Sequence, residues 1–205
     1  MKAMMTMSFR RIFFTAVLIG LGCVSAAQAQ FAAYGTVSAE RLKSINCDDP
    51  QNICASNDGT VRPYGGTVGA YYDLRTYGPV TLGADLRGVF LNSNKSAYSY
   101  QGGPDLVRHY SFLGGARATF KTPFKVLRPY AQVSAGLGRT NSTVPPPTYY
   151  QNFTQVQGFV GLDLALFDNI DFRAIELGAG ELFGPSSHSI QSIGVGLVFH
   201  MTREK

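Results

Sequence analysis

From residue 30 onward, apolar side chains recur at every second position, and no ionised group falls among them. A period of two is the period of a β-strand whose faces meet different surroundings. The clearest runs are Val80, Leu82, Ala84, Leu86 and Phe90; Tyr110, Phe112, Ala116, Ala118 and Phe120; and Ile193, Val195, Leu197 and Phe199. Eight such segments can be laid along the chain, the seventh with a phase shift at Ala174-Ile175 that predicts a bulge. The positions between the apolar ones are polar. They include Glu40, Asp73, Asp85, Arg87, Arg117, Arg128, Asp163, Asp171, Arg173 and Glu176, with Tyr71, Tyr130, Gln132, Gln155 and Gln157 in the same phase. From residue 30 on, no apolar run reaches the roughly 18 residues that a spanning helix needs.

Alternation alone fits two architectures. In a water-soluble sandwich the apolar face is the core, whereas in a membrane barrel it meets lipid and the charged face lines the interior. The connections favour the barrel. Those at 44–61, 92–104 and 140–151 are long and polar, while those around Thr76-Tyr77-Gly78, 121–124 and Asp168-Asn169 are short, and with eight strands the 182–189 connection falls on the same side as the long ones. Longer outer loops against short periplasmic turns are expected of outer-membrane barrels. The apolar series is also built of Ala, Val and Leu, with Tyr72, Phe90, Phe120 and Phe199 toward strand ends, as interfacial girdles require. The expected fold is therefore all-β: an eight-stranded antiparallel up-and-down transmembrane β-barrel, with both termini on the periplasmic side. Closure matters because an unpaired backbone edge in lipid costs several kcal/mol for each orphan group.

The amino terminus agrees with export. Lys2, Arg10 and Arg11 precede the short apolar stretch 12–21, and Ala27-Gln28-Ala29 supplies an A-x-A cleavage site. Residues 1–29 read as a cleavable signal peptide and 30–205 as one barrel domain in the outer membrane. Removing those three cations from the 18 basic residues leaves 15 against 13 acidic ones, so the basic charge implies no nucleic-acid partner. Cys23 follows Gly20-Leu21-Gly22, which has Gly where a lipobox wants Leu. Cys47 and Cys54 lie close together in a polar stretch, and in an oxidising compartment they read as a local loop disulfide. Two cysteines with no histidine beside them do not make a zinc site, and no cofactor or metal is expected.

The motifs Gly65-Gly66-Thr67-Val68-Gly69-Ala70-Tyr71-Tyr72 and Ser192-Ile193-Gly194-Val195-Gly196-Leu197-Val198-Phe199 resemble the eight-stranded outer-membrane barrels similar to the transmembrane domain of outer-membrane protein A. The resemblance runs over 64–90 and 132–198, and with its pattern covers nearly all of the mature chain. It implies architecture and carries no chemistry. Many members end on an aromatic residue that the assembly machinery reads; here Phe199 is followed by six more residues, His200 to Lys205.

The inward charges number six carboxylates and four arginines, with Arg75 near a turn. Near-balance in an eight-stranded barrel, whose interior side chains can just fill, points to a plug of paired Arg–carboxylate forks. A narrow ion path gated by rearranging these pairs is the alternative. His109-Tyr110-Ser111 looks like the His-x-Ser of the lipid A deacylase barrels, in which a carboxylate completes a serine-activating triad. Phe112 replaces that family's Asn, and the strand phase turns both residues inward. The expected function is non-enzymatic: support of the outer membrane or presentation of surface loops. A lipid A or phospholipid-modifying enzyme and a small pore are the alternatives. The expected partners are outer-membrane lipid, the barrel assembly machinery and a loop ligand of unknown chemistry.

Overall fold

A computed structural model describes residues 30–43, 60–93, 107–142, 149–184 and 187–201. Eight long strands form the wall: β1 (Gln30–Lys43), β3 (Tyr64–Tyr77), β4 (Val80–Ser93), β5 (Val107–Phe120), β6 (Leu127–Ser142), β7 (Tyr149–Ala165), β8 (Ile170–Phe183) and β9 (His188–His200). Each pairs antiparallel with the next, and β1 closes the ring by pairing with β9 from Ala32↔His200 to Leu42↔Ile190. The fold is a closed, up-and-down, eight-stranded barrel. A two-residue strand, β2 (Thr60–Val61), extends the wall by pairing with Leu42 and Lys43.

Alternation sets the two faces. Val37, Val68, Leu86, Phe112, Val133, Leu137, Val160, Leu177, Ile193 and Leu197 are exposed on the outside, and the intervening positions are mostly buried within. The phase shift at Ala174-Ile175 is a real bulge, because the β8–β9 register slips between Arg173 and Glu176. That slip lets both charged residues point into the lumen despite their odd spacing. The same extra residue, Ala174, shows in the β7–β8 ladder as a slip opposite Leu162 and Asp163, and a second bulge falls between Asp73 and Arg75 in β3.

Both chain ends of the barrel and the connections 78–79, 121–126 and 166–169 lie at one end of the barrel. The first of these is tighter than the sequence suggested. Tyr77 still pairs with Val80, leaving Gly78-Pro79 as the turn. Gly78 has φ +55°, the left-handed value that a II′ hairpin wants at its first central position, and proline's fixed φ suits the second. At the other end the strands run further than expected. Asn92, Ser93, 140–142, 149–151, Leu182, Phe183, His188 and Ser189 belong to strands, so the connections there shorten to 44–59, 94–106, 143–148 and 184–187. Exposed aromatics ring both ends: Tyr64, Phe90, Tyr110, Tyr150 and Phe183 at the long-connection end, and Tyr77, Phe120, Phe124, Phe167 and Phe199 at the other.

Tight curvature needs glycine where strands approach most closely. A Cβ on Gly136 would stand 2.0 Å from the Phe112 carbonyl oxygen, and one on Gly196 would stand 2.1 Å from that of Gly35. No side chain fits at either position. The signal-peptide segment 1–29 and the Cys47–Cys54 pair lie outside the described residues.

Candidate functional site: ion pairs in the lumen

The lumen has two chemical zones. Toward the short-turn end, three guanidiniums and three carboxylates interlock. Glu176 takes a two-pronged fork from Arg87, with Nη1 to Oε1 at 2.8 Å and Nη2 to Oε2 at 2.9 Å. It also accepts from Arg173 Nη1 at 3.0 Å and from the Tyr130 hydroxyl. Asp163 accepts from Arg173 Nε at 2.9 Å and from Arg117 Nη2 at 2.9 Å. Asp85 lies 3.8 Å from Arg87 Nε and accepts from the Tyr34 hydroxyl (3.0 Å) and Gln132 Nε2 (2.6 Å). Side-chain exposure across these six charged residues does not exceed 5%.

This arrangement follows from alternation, closure and the bulged register of the wall. β4 contributes Asp85 and Arg87 two residues apart on one face, β5 contributes Arg117, and the bulged β7–β8 pair brings Asp163, Arg173 and Glu176 inward. Buried ions are costly unless paired and hydrogen-bonded, and the fork geometry satisfies several donors at once, leaving only Arg117 Nη1 among these guanidinium nitrogens without a partner. Aromatic rings complete the packing. Arg117 lies over Tyr130 at 3.7 Å and Tyr71 at 4.2 Å from the ring centroids, Arg173 over Tyr34 at 4.4 Å, and Arg87 over Phe159 at 3.8 Å. Ring faces supply the negative potential that planar guanidiniums seek above and below their forks.

Not every inward charge joins this cluster. Arg128 and His200 converge on Asp171 Oδ2 at 3.3 and 2.9 Å, nearer the short-turn rim. Asp73 is half-buried beside the β3 bulge, with its Oδ1 free of hydrogen bonds. Glu40 stands apart, at the long-connection end, where its Oε2 is 2.6 Å from His109 Nδ1. The fold thus brings a carboxylate to His109 from 69 residues away. Ser111, two residues on and also buried, makes no hydrogen bond to that histidine. Both residues face the lumen, not the outer surface.

Above the ions the lumen turns apolar. Leu42, Phe153, Leu182 and Ile190 pack into a layer near the long-connection end. His188, which the sequence placed in a loop, is the first residue of β9, buried with its ring edge-on to Phe153 at 5.5 Å. Between the zones, Thr36, Ser38 and Thr67 form a hydroxyl chain, and Gln155 donates to Gln157, which donates to the Ser192 hydroxyl. Sequence reasoning missed Tyr34 and Phe159 as partners of the arginines. Their signal was visible, since both are aromatic residues standing in the inward phase.

An apolar, aromatic-banded exterior around a charged lumen defines an eight-stranded barrel of the outer-membrane type. No family model and no curated protein sequence matches the chain. Solved structures do match its fold. Neisserial surface protein A superposes with a TM-score of 0.56 at 13% identity, covering 84% of this chain and 99% of that one. Ail, the attachment invasion locus protein of Yersinia pestis, gives 0.53 at 10% identity, covering 85% and 100%. The N-terminal β-barrel domain of Pseudomonas aeruginosa OprF gives 0.40 at 20%, covering 84% and 100%.

Proposed function

We propose that the chain is an integral outer-membrane barrel, exported through its amino-terminal signal, whose lumen is plugged by Arg–carboxylate pairs and which acts without catalysis. Its work is then done at its surfaces: anchoring in lipid, and presenting the connections of the long-connection end, including the proposed Cys47–Cys54 disulfide, to an outside partner. The barrel assembly machinery is the partner its insertion requires.

One observation carries this reading. Arg87, Arg117 and Arg173 are each held by a carboxylate and each covered by an aromatic ring, with side-chain exposures of 0–2%. A water-filled conduction path would hydrate these guanidiniums instead of stacking them. Four apolar side chains then cover the polar zone from the other end. The outer surface independently supports the membrane setting. Its exposed middle is Val, Leu, Ile and Phe, and a water-soluble monomer rarely exposes so continuous an apolar belt.

The deacylase alternative has gained a carboxylate, Glu40, but lacks access. Its histidine and serine are buried inside the wall, away from the acyl chains such an enzyme would have to reach.

The test is planar-bilayer recording of the purified, refolded chain. A closed plug gives no stable open level, whereas long-lived, reproducible conductance steps from the wild-type protein would overturn the plugged reading. A companion measurement, mass spectrometry of lipid A from cells expressing wild type or Ser111→Ala, should show identical acylation.

A further inference from the structure

The outer surface carries a compact cationic cluster that the lumen network does not use. Ala39↔Tyr64 and Leu42↔Val61 are paired in one continuous register, so Arg41 and Arg62 stand opposite each other between them. Lys43 follows Arg41 by two residues, opposite Thr60. Arg41, Lys43 and Arg62 are all exposed. Directly opposed residues in an antiparallel ladder have Cβ atoms about 5 Å apart, and a two-residue step adds roughly 7 Å. Like charges at that spacing destabilise a sheet. Among the described residues no carboxylate relieves them. Glu40, between Arg41 and Ala39, points inward to His109. The exposed neighbours are Gln191, paired with Arg41 across β9, then Tyr64 and its partner Asn92. At this end the exposed carboxylate of the described wall, Glu181, lies on β8, two strands away from β1.

We propose that Arg41, Lys43 and Arg62 form a binding site for the phosphate groups of the outer-leaflet glycolipid, on the β9–β1–β3 side of the barrel. The inference rests on the outer-membrane reading above. Depth supports it, because the cluster sits just beyond Tyr64, and aromatic belts mark the level of lipid headgroups. Chemistry supports it too. Guanidinium forks match phosphate oxygens two at a time, and a phosphate set between Arg41 and Arg62 turns a repulsive pair into a bridged one. Gln191 and Asn92 offer amide donors and acceptors of the kind sugar hydroxyls require, and Tyr64 offers an apolar flank. A glycolipid carrying phosphates on a sugar backbone has all three features.

The experiment uses the full mature chain refolded in detergent micelles, titrated with bisphosphorylated lipid A or with its dephosphorylated form. The readout is the thermal midpoint by circular dichroism. Phosphorylated lipid A is expected to raise the wild-type midpoint, and the dephosphorylated form to leave it unchanged. R41Q/K43Q/R62Q should keep a lipid-free midpoint at or above wild type, because a like-charge pair has gone, yet bind phosphorylated lipid A roughly 100-fold more weakly. K121Q/K125Q, at the opposite end, should bind like wild type. If the triple variant does not fold, R62Q alone should show roughly a fivefold loss. Three results would overturn the proposal: equal affinity in the triple variant, an equal response to the dephosphorylated lipid, or an equal loss in K121Q/K125Q. Wild-type chain that never folds in micelles would sink the outer-membrane reading along with this one. Folded wild type that ignores lipid A would sink this one alone.

Discussion

Glu176→Gln tests the lumen network at its most connected point. The substitution keeps the side chain's shape and one carbonyl acceptor but removes a charge that faces two buried guanidiniums. In the wild type, Glu176 takes the fork from Arg87, a third nitrogen from Arg173, and the Tyr130 hydroxyl. After the change, three guanidiniums share two carboxylates. Asp163 can still hold Arg173 and Arg117, but Arg87 is left with Asp85 at 3.8 Å. Breaking one side of a buried pair costs about 3–5 kcal/mol when the remaining charge cannot reach water; the retained amide oxygen and Asp85 put this variant near the lower bound, about 3 kcal/mol. With urea slopes of about 1–3 kcal/mol per molar, the midpoint should fall by roughly 1–3 M. The assay is a urea titration of refolded protein in micelles. It is followed by circular dichroism, because the chain has no tryptophan to report by fluorescence. Arg87→Met should cost a similar amount. The double variant R87M/E176Q should then be more stable than the two single losses summed, by at least about 1.5 kcal/mol, since both members of the pair are gone. A single-variant cost below about 1 kcal/mol, with no coupling in the double, would mean that water already shields these ions. The dry plug would then be wrong.

Tyr130→Phe removes the hydroxyl to Glu176 while keeping the ring over Arg117. It should cost about 1–2 kcal/mol in the same urea titration, with Tyr130→Leu costing more because the stacking is lost as well. Gly136→Ala must push a Cβ against the Phe112 carbonyl oxygen and should lose at least about 2 kcal/mol or fail to refold. Gly35→Ala, with nothing within 4 Å, should stay within about 0.5 kcal/mol of wild type when refolding yield and urea midpoint are compared. Val160→Arg places a cation in the middle of the outer face. If that face meets hydrocarbon, folding into lipid vesicles should weaken by about 2–4 kcal/mol. A neutral outcome would mean the belt is hydrated.

The wall was legible in the sequence because each strand carries its own evidence. Every second residue of Val80–Phe90 or Ile193–Phe199 is uncharged, and a one-residue slip would bring Asp85 and Arg87, for example, into lipid. The bulge at Ala174-Ile175 was legible for the same reason, since Arg173 and Glu176 cannot both face inward without it. The ion-pair partners were not legible. Arg87 and Glu176 are 89 residues apart, and Tyr34 and Asp85 are 51 apart. Which inward residues share a level depends on the shear of each strand against the next, and three register slips alter that shear. The same gap explains Glu40 and His109. Both stand in the inward phase, but their meeting needs a level within the barrel that no single strand specifies. The sequence reads His188 into the 182–189 connection, because Gly184-Pro185 is a turn-like pair. β9 instead begins at His188.

The charged interior also solves a problem created by the exterior. With an outer face this apolar, a lumen filled with leucine would turn each strand of 13 to 17 residues into a continuous apolar run. Such runs approach the length and hydrophobicity of helical membrane spans, and they would lose the two-sidedness that fixes strand register. Alternating Asp, Arg, Gln, Ser and Thr into the inward phase prevents both. An interior of this width then has little room for water beside guanidiniums and tyrosine rings, so the polar residues must satisfy one another. Three arginines and three carboxylates, with Tyr34, Tyr71, Tyr130 and Phe159 as ring or hydroxyl partners, meet most of that demand with no net charge. Specificity in this chain therefore runs opposite to that of a soluble globule: apolar packing on the outside is permissive, and register is constrained by the ionic groups, which a one-residue slip would turn out of the lumen and away from their partners.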